Sequence, residues 1–256
     1  MYGLKQAAIL AYQQLKKVMK PFGYEPVPGT AGMWKHVSRK TVFCTCVDDF
    51  AVKYFSKDDA NHFLQALTSK YKYTMDWTGS EYCGLHMDWE YKKGYVDVSM
   101  PGFVQKSLKK LNYKGKIYPQ NSPHNCSASY SKPGTTQYAP PPDNTTPLQG
   151  KQVTYVQSVV GTFLYYGRAI DYAILPAIND ISSEQSKPTK KTLQKIQRLM
   201  DYVNTHDNAF LRFHASDMVL HVDSDAAYLV APKARSRIAG YYHLTDNPKK
   251  ERHNHY

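Results

Sequence analysis

"TVFCTCVDDFAVKYF", residues 41–55, decides how this chain is read. Residues 41–47 and 50–55 are β-branched and aromatic runs with strand character, and Asp48 and Asp49 stand between them. Acids at the tip of a strand pair can be turn residues, because Asp bonds its own backbone. Carboxylates are also ligands that magnesium prefers, and paired ions of this kind promote in-line phosphoryl transfer. Neighbouring side chains on a strand point to opposite faces, so both acids reach outward only at a tight turn. A two-ion site also needs carboxylates from elsewhere in the fold. From these two residues alone, turn chemistry and metal chemistry both stand.

Around the hairpin the periodicity alternates between helix and strand. Residues 4–22 place Leu4, Ala7, Ala8, Ala11, Leu15, Val18, Met19 and Phe22 at helical steps, with Pro21 and Gly23 at the end. A short strand follows at residues 33–37. Ser56 opens a helix over 58–72 with Ala60, Phe63, Leu64 and Leu67 on one face. A second strand pair spans "EYCGLHMDWEY" and "GYVDVSM", turning at Lys92-Lys93-Gly94, and Pro101 opens the helix "PGFVQKSLKKL". Residues 114–150 are rich in Pro, Ser, Thr, Asn and Gly and read as an irregular linker. Helices resume at 151–167, 171–185 and 189–204. In the last, Leu193, Ile196, Leu199, Met200 and Val203 face inward, opposite Lys190, Lys191, Lys195 and Arg198. "MVLHVDSD" and "RSRIAGYYHLT" then begin a new sheet.

The charge is lopsided: 33 Lys+Arg against 21 Asp+Glu give +12 over 256 residues. Such a balance points to an anionic partner, nucleic acid first and a membrane surface second. No apolar run approaches a membrane span, and the N-terminus lacks the pattern of a signal peptide. Cys44, Cys46, Cys83 and Cys126 form no C-x-x-C pair, so reduced thiols in the cytoplasm or nucleus are expected. Cys46 reads as a small buried strand residue, and no zinc spacing surrounds "CTC".

"CVDDF" between two strands resembles the Tyr-Val-Asp-Asp box of reverse transcriptases. Further blocks resemble copia-type (Pseudoviridae) retrotransposon polymerases in the same order: "YGLKQA" at residues 2–7, "YCGLHMDWEYKKGYVDVSMPGFVQKSLKKL", "YVQSVVGTFLYYGRAID" and "DYVNTHDNAFLRF". "HVDSDAAYLVAPKARSRIAGYYHL" resembles the opening of the ribonuclease H domain. The resemblance covers nearly the whole chain.

This resemblance implies an RNA-directed DNA polymerase in which a primer 3′-hydroxyl attacks a deoxynucleotide, with Mg2+ held partly by Asp48 and Asp49. It places Tyr2, Gly3, Lys5 and Gln6 near the nascent base pair, and Asp225 at the first acid of the ribonuclease H site, with Asp223 a competitor. It puts Lys106, Lys109 and Lys110 on a thumb helix near the duplex backbone, where a solvated helix face is the plainer reading. For Trp77 and Trp89, near the primer-gripping hairpin, contact with the duplex is one reading and core packing the plainer one. The sequence departs from the family in two respects: Ala8, Ile9, Leu10 and Ala11 replace a Pro-Arg-Ala-Trp portion, and Cys46 replaces an aromatic. The family's third polymerase carboxylate precedes "YGLKQA", and its later ribonuclease H acids have no clear counterpart in Asp246 or Glu251. Negligible polymerase chemistry and no ribonuclease activity are therefore expected of this chain.

The expected fold is α+β: a partial right-hand polymerase palm over 1–100, a thumb helix at 101–113, a linker at 114–150, a helical thumb or connection region at 151–214, and the first strands of an incomplete ribonuclease H-like sheet at 215–256. The expected partners are a template-primer duplex and deoxynucleotides, with no membrane; in the family the site of action is the cytoplasm or nucleus, within a virus-like particle. Two other readings stand: a non-catalytic nucleic-acid-binding remnant or translated relic, and an unrelated metal-dependent phosphotransferase using Asp48 and Asp49.

Overall fold

The computed structural model describes residues 6–115, 118–125, 143–231 and 235–247, and it is mixed α+β. Tyr2, Gly3 and Lys5, with Cys126 and Glu251, lie outside the described residues. The chain divides into two compact units, Met1–Met87 and Asp88–Tyr256.

In the first unit, α1 (Ala7–Met19) runs into a 3-10 turn, Lys20–Phe22, that ends on Gly23 at φ +80. A Cβ at Gly23 would come within 2.8 Å of the His36 ring, so both conformation and space require glycine there. Four antiparallel strands follow in sheet order β1 (Tyr24–Pro26), β2 (Met33–His36), β3 (Val42–Cys46) and β4 (Asp49–Lys53). β1 was not expected from the broken pattern around its prolines. Its place is fixed by pairing with β2, Tyr24 opposite His36.

The helix α2 (Lys57–Thr68) starts where Ser56 Oγ accepts the Asp59 N–H at 3.1 Å. It stops short of residue 72: Thr68 and Ser69 hydroxyls bond back to the carbonyls of Leu64 and Ala66. As the spacing predicts, Ala60, Phe63 and Leu67 are buried. Phe63 and Leu67, with Ala66, meet Leu15, Met19, Tyr24, Trp34 and Phe43 in one core. Trp34 and Phe43 are cross-strand partners with stacked rings 5.6 Å apart, and Phe43 meets Phe63 at 4.9 Å. This aromatic packing covers one face of the sheet and decides which side chains are left on the other.

β5 (Glu81–Tyr82) pairs with β6 (Leu85–Glu90) through the turn at Cys83 and Gly84, and β6 runs across the division between the units.

In the second unit, β7 (Tyr95–Ser99) pairs with β8 (Phe210–His214), although 115 residues separate Asp97 from its opposite, Arg212. Arg212 donates to both Asp97 oxygens at 2.7 Å and lies 3.9 Å over the Tyr95 ring. Gly94 at φ +72 closes the predicted turn before β7. The helix α3 (Phe103–Lys110) starts two residues after Pro101, because Gly102 takes the left-handed cap position.

The helices α4 (Lys151–Ala169), α5 (Leu175–Glu184) and α6 (Lys190–Thr205) pack around Val156, Phe163, Ile178, Ile196, Leu199 and Val203. The described parts of the linker have no helix or named strand, yet they are pinned. Leu148 is buried and donates to Pro188, Asp143 accepts from the Thr189 hydroxyl, and Arg198 donates to the Ser122 carbonyl. A two-stranded ribbon, β9 (Val219–Ala231) with β10 (Arg235–Thr245), ends the described chain.

Candidate functional site

The acidic hairpin has the tightest usual connection. Cys46 pairs with Asp49, leaving Val47 and Asp48 as a two-residue loop. Val47 holds φ +56 and is 87% exposed. A β-branched residue resists that conformation, so the tip carries backbone strain next to both acids. Asp48 sits on the turn and Asp49 is the first residue of β4; both are exposed.

The register explains where Asp49 points. Phe43 and Phe50 turn to the aromatic core, so the alternate positions Cys44, Cys46, Asp49 and Ala51 share the other face. This corrects the expectation for Cys46: it is exposed rather than buried, because the core side of β3 belongs to Phe43. Cys83 donates its N–H to Asp49 Oδ2 at 3.2 Å. Cys83 itself holds φ +53, and its thiol hydrogen-bonds the Cys46 thiol. Burial first, then that contact, pushes the Cys83 thiol up to about 11. Burial also raises the Tyr82 hydroxyl beside it. Cys44, Cys46 and Cys83 form no disulfide among the described residues.

Two carboxylates on one tip supply hard oxygen donors of the kind magnesium takes. Among the described residues no three His, Cys, Asp or Glu side chains converge to hold a metal ion. Magnesium at such a tip would complete its shell with water and phosphate oxygens.

The other predicted residues that the structure describes lie on other elements. Gln6 is exposed at the cap position of α1. Lys106, Lys109 and Lys110 are exposed on α3, with Val104, Ser107 and Leu108 buried beneath them. Asp225 is exposed on β9 opposite Ala239, and Asp223 lies 3.3 Å from His221. Asp246 accepts the Asp217 N–H at 3.1 Å.

Two of the basic positions on α6 are structural. Lys195 bonds Asp180 at 2.7 Å and Glu184 at 2.6 Å, and Arg198 reaches the linker. Trp77 and Trp89 also depart from expectation. Neither is core: Trp77 meets Tyr54 edge-on and Trp89 stacks on Tyr91 at 5.4 Å. Trp34, Tyr24, Phe43 and Phe63 already fill the aromatic core of the first unit. The aromatic-lysine cluster around Trp77 was missed in the sequence, where Lys40, residues 53–57 and Trp77 are far apart.

No protein-family model and no solved structure matches the chain. It is 27% identical over 259 residues to the Transposon Ty1-ER2 and Ty1-MR2 Gag-Pol polyproteins of Saccharomyces cerevisiae, and 26% identical to that of Ty1-GR3. Each alignment covers 95% of this chain, which spans 14% of the length of these relatives. The chain is thus related to the Gag-Pol polyproteins of copia-type retrotransposons. Among the described residues no helix is long and apolar enough to cross a membrane.

Proposed function

We propose that this chain carries the palm hairpin of an RNA-directed DNA polymerase, with Asp48 and Asp49 as magnesium ligands. The observation that carries this reading is the hairpin tip. Two exposed acids flank the end of a strained two-residue loop, on the sheet face that the aromatic core leaves uncovered. The similarity to Gag-Pol polyproteins supports it. Magnesium bound at such acids would polarise a phosphoryl oxygen and lower the pKa of an attacking hydroxyl. The chain's own contribution is to hold Asp49 Oδ2 by the Cys83 N–H and to present Asp48 at the turn.

In this reading Tyr2, Gly3, Lys5 and Gln6 approach the nascent base pair, and Lys106, Lys109 and Lys110 meet the template-primer backbone. Asp225 is the corresponding first acid of a ribonuclease H segment. The setting is the cytoplasm or nucleus. The test has two readouts. Manganese, used as a spin-active substitute, should bind the chain weakly, and Asp48→Asn with Asp49→Asn should abolish that binding. Any primer extension with magnesium and deoxynucleotides should be lost in Asp49→Asn. Manganese binding unchanged by the double variant would remove the hairpin from the metal site. Synthesis that persists in Asp49→Asn would remove that acid from the chemistry.

A second reading, a non-catalytic nucleic-acid binder, is favoured by the +12 charge and the three exposed lysines of α3. Duplex binding that weakens with salt and is indifferent to Asp49→Asn would support it.

A further inference from the structure

The end of β4 away from Asp49 carries a different chemistry. Lys53 closes the strand, Tyr54 and Phe55 follow it, and Ser56 caps α2, whose first residue is Lys57. Phe55 is 66% exposed, with the ammonium groups of Lys40 and Lys53 at 5.4 and 5.8 Å from its ring centre. Trp77 is 47% exposed, meets Tyr54 edge-on at 6.2 Å, and has Lys57 at 5.7 Å. Four strand steps of about 3.3 Å separate this end of β4 from Asp49.

The fold does not require these rings. The core of this unit is built without them, around Tyr24, Trp34, Phe43 and Phe63. Among the described residues, Lys40, Lys53 and Lys57 have no carboxylate within ion-pair distance. The nearby acids are engaged elsewhere. Asp58 and Asp59 are held by Arg39 at 2.7 and 2.9 Å. Asp76 accepts the Thr78 hydroxyl and then the N–H groups of Thr78 and Ser80, which keep its carboxyl far below the usual range. What remains is flat aromatic surface interleaved with uncommitted cations.

That combination suits a polyanion whose flat apolar groups are accessible. A single strand of nucleic acid offers both, since its bases stack on rings while its phosphates are neutralised by lysines. A duplex offers phosphates but keeps its base faces stacked inside. We infer that Lys40, Lys53, Tyr54, Phe55, Lys57 and Trp77 form a binding surface for single-stranded nucleic acid, separate from the acidic hairpin. Stacking of this kind is sequence-tolerant, because every base has a π-face. The inference does not rest on Asp48 or Asp49 binding metal.

The test is fluorescence anisotropy of the full chain with a labelled oligothymidylate of about 20 nucleotides, titrated with salt. Phe55→Ala with Trp77→Ala should weaken binding at least about 10-fold with a similar salt slope. Lys40→Gln, Lys53→Gln and Lys57→Gln together should make the log–log salt slope shallower by about 2. Far-UV circular dichroism should match the parent in both cases. Phe55→Tyr with Trp77→Phe should keep the affinity, and if the alanine pair fails to fold, the lysine variant decides. The alanine pair should leave manganese binding at the hairpin unchanged, which separates this surface from the metal reading. Unchanged affinity and slope in the variants would overturn the proposal. So would duplex binding that equals single-strand binding and ignores the rings, or loss of self-association in Trp77→Ala with no change in strand binding.

Discussion

Cys83 donates its backbone N–H to Asp49 Oδ2 at 3.2 Å, joining residues 34 positions apart. The bond ties the acidic hairpin to the β5–β6 turn and brings the Cys83 and Cys46 thiols into contact. Cys46 is exposed, whereas Cys83 is half-buried with its thiol raised to about 11. Iodoacetamide followed by peptide mass analysis should therefore find Cys46 modified well before Cys83. The Cys46 thiol contributes to raising Cys83, so Cys46→Ala should speed Cys83 labelling at mildly alkaline pH. Slower labelling in that variant would show that the two thiols do not interact.

Val47 should be replaceable to advantage. Its φ of +56 suits Asn or Gly and opposes a β-branched side chain. Its exposed side chain has little packing to lose. Val47→Asn should raise stability by about 1 kcal/mol, measured by urea unfolding. A loss of similar size would mean that the tip is not left-handed in solution.

Asp180 and Lys195 give an acid-sensitive contribution within the helical unit. Burial pushes the Asp180 carboxyl up, but Lys195 and then Arg237 outweigh it and hold it below its ordinary value. A depressed carboxyl stabilises the fold above its unfolded pKa, and that contribution is lost as pH falls through the folded value. Lys195→Met should cost roughly 2 kcal/mol at neutral pH, where Asp180 loses its 2.7 Å partner. The difference from the parent should shrink as pH falls through the folded value of Asp180. A cost independent of pH would assign the effect to packing alone.

Asp171 has the opposite sign. Its side chain is buried among Tyr166, Tyr202 and His206, and burial raises its carboxyl. Oδ1 accepts the Ala173 N–H, while Oδ2 is buried without a hydrogen-bond partner among the described residues. The folded chain holds this proton more tightly than the unfolded chain, so ionisation costs stability as pH rises through the folded value. Asp171→Asn keeps an acceptor for Ala173 and removes the charge. Its Tm should exceed that of the parent near neutral pH and converge with it by about pH 3. A lower Tm at neutral pH would show that the buried charge is compensated.

Much of the fold was legible in the sequence because its signals are local. The helical spacing of Ala60, Phe63 and Leu67 predicts the buried face of α2, and Ser56 predicts its start. The hairpin around Asp48 and Asp49 was equally clear. What escaped depends on distant partners. The pairing of Tyr95 with His214 has no local signature, and β1 exists only because β2 lies beside it. Burial of Cys46 was misjudged because alternation reveals two faces without saying which one the aromatics claim. Lys195 looked solvated on its helix, but Asp180 and Glu184 come to it from α5. The Lys40–Phe55–Trp77 surface is assembled from three separate segments, so composition shows its ingredients but not their meeting.

The β9–β10 ribbon has a consequence for handling this protein. Leu220, Val222, Ile238, Tyr242 and Leu244 are all exposed along two strands that pair only with each other among the described residues. A lone strand pair is marginal in water, and its outer edges offer unpaired N–H and C=O groups to any extended segment that arrives. Concentration will therefore favour sheet extension between molecules, and precipitation or fibril growth should begin at this ribbon. A lysine placed at Ile238 would introduce charge where such growth starts.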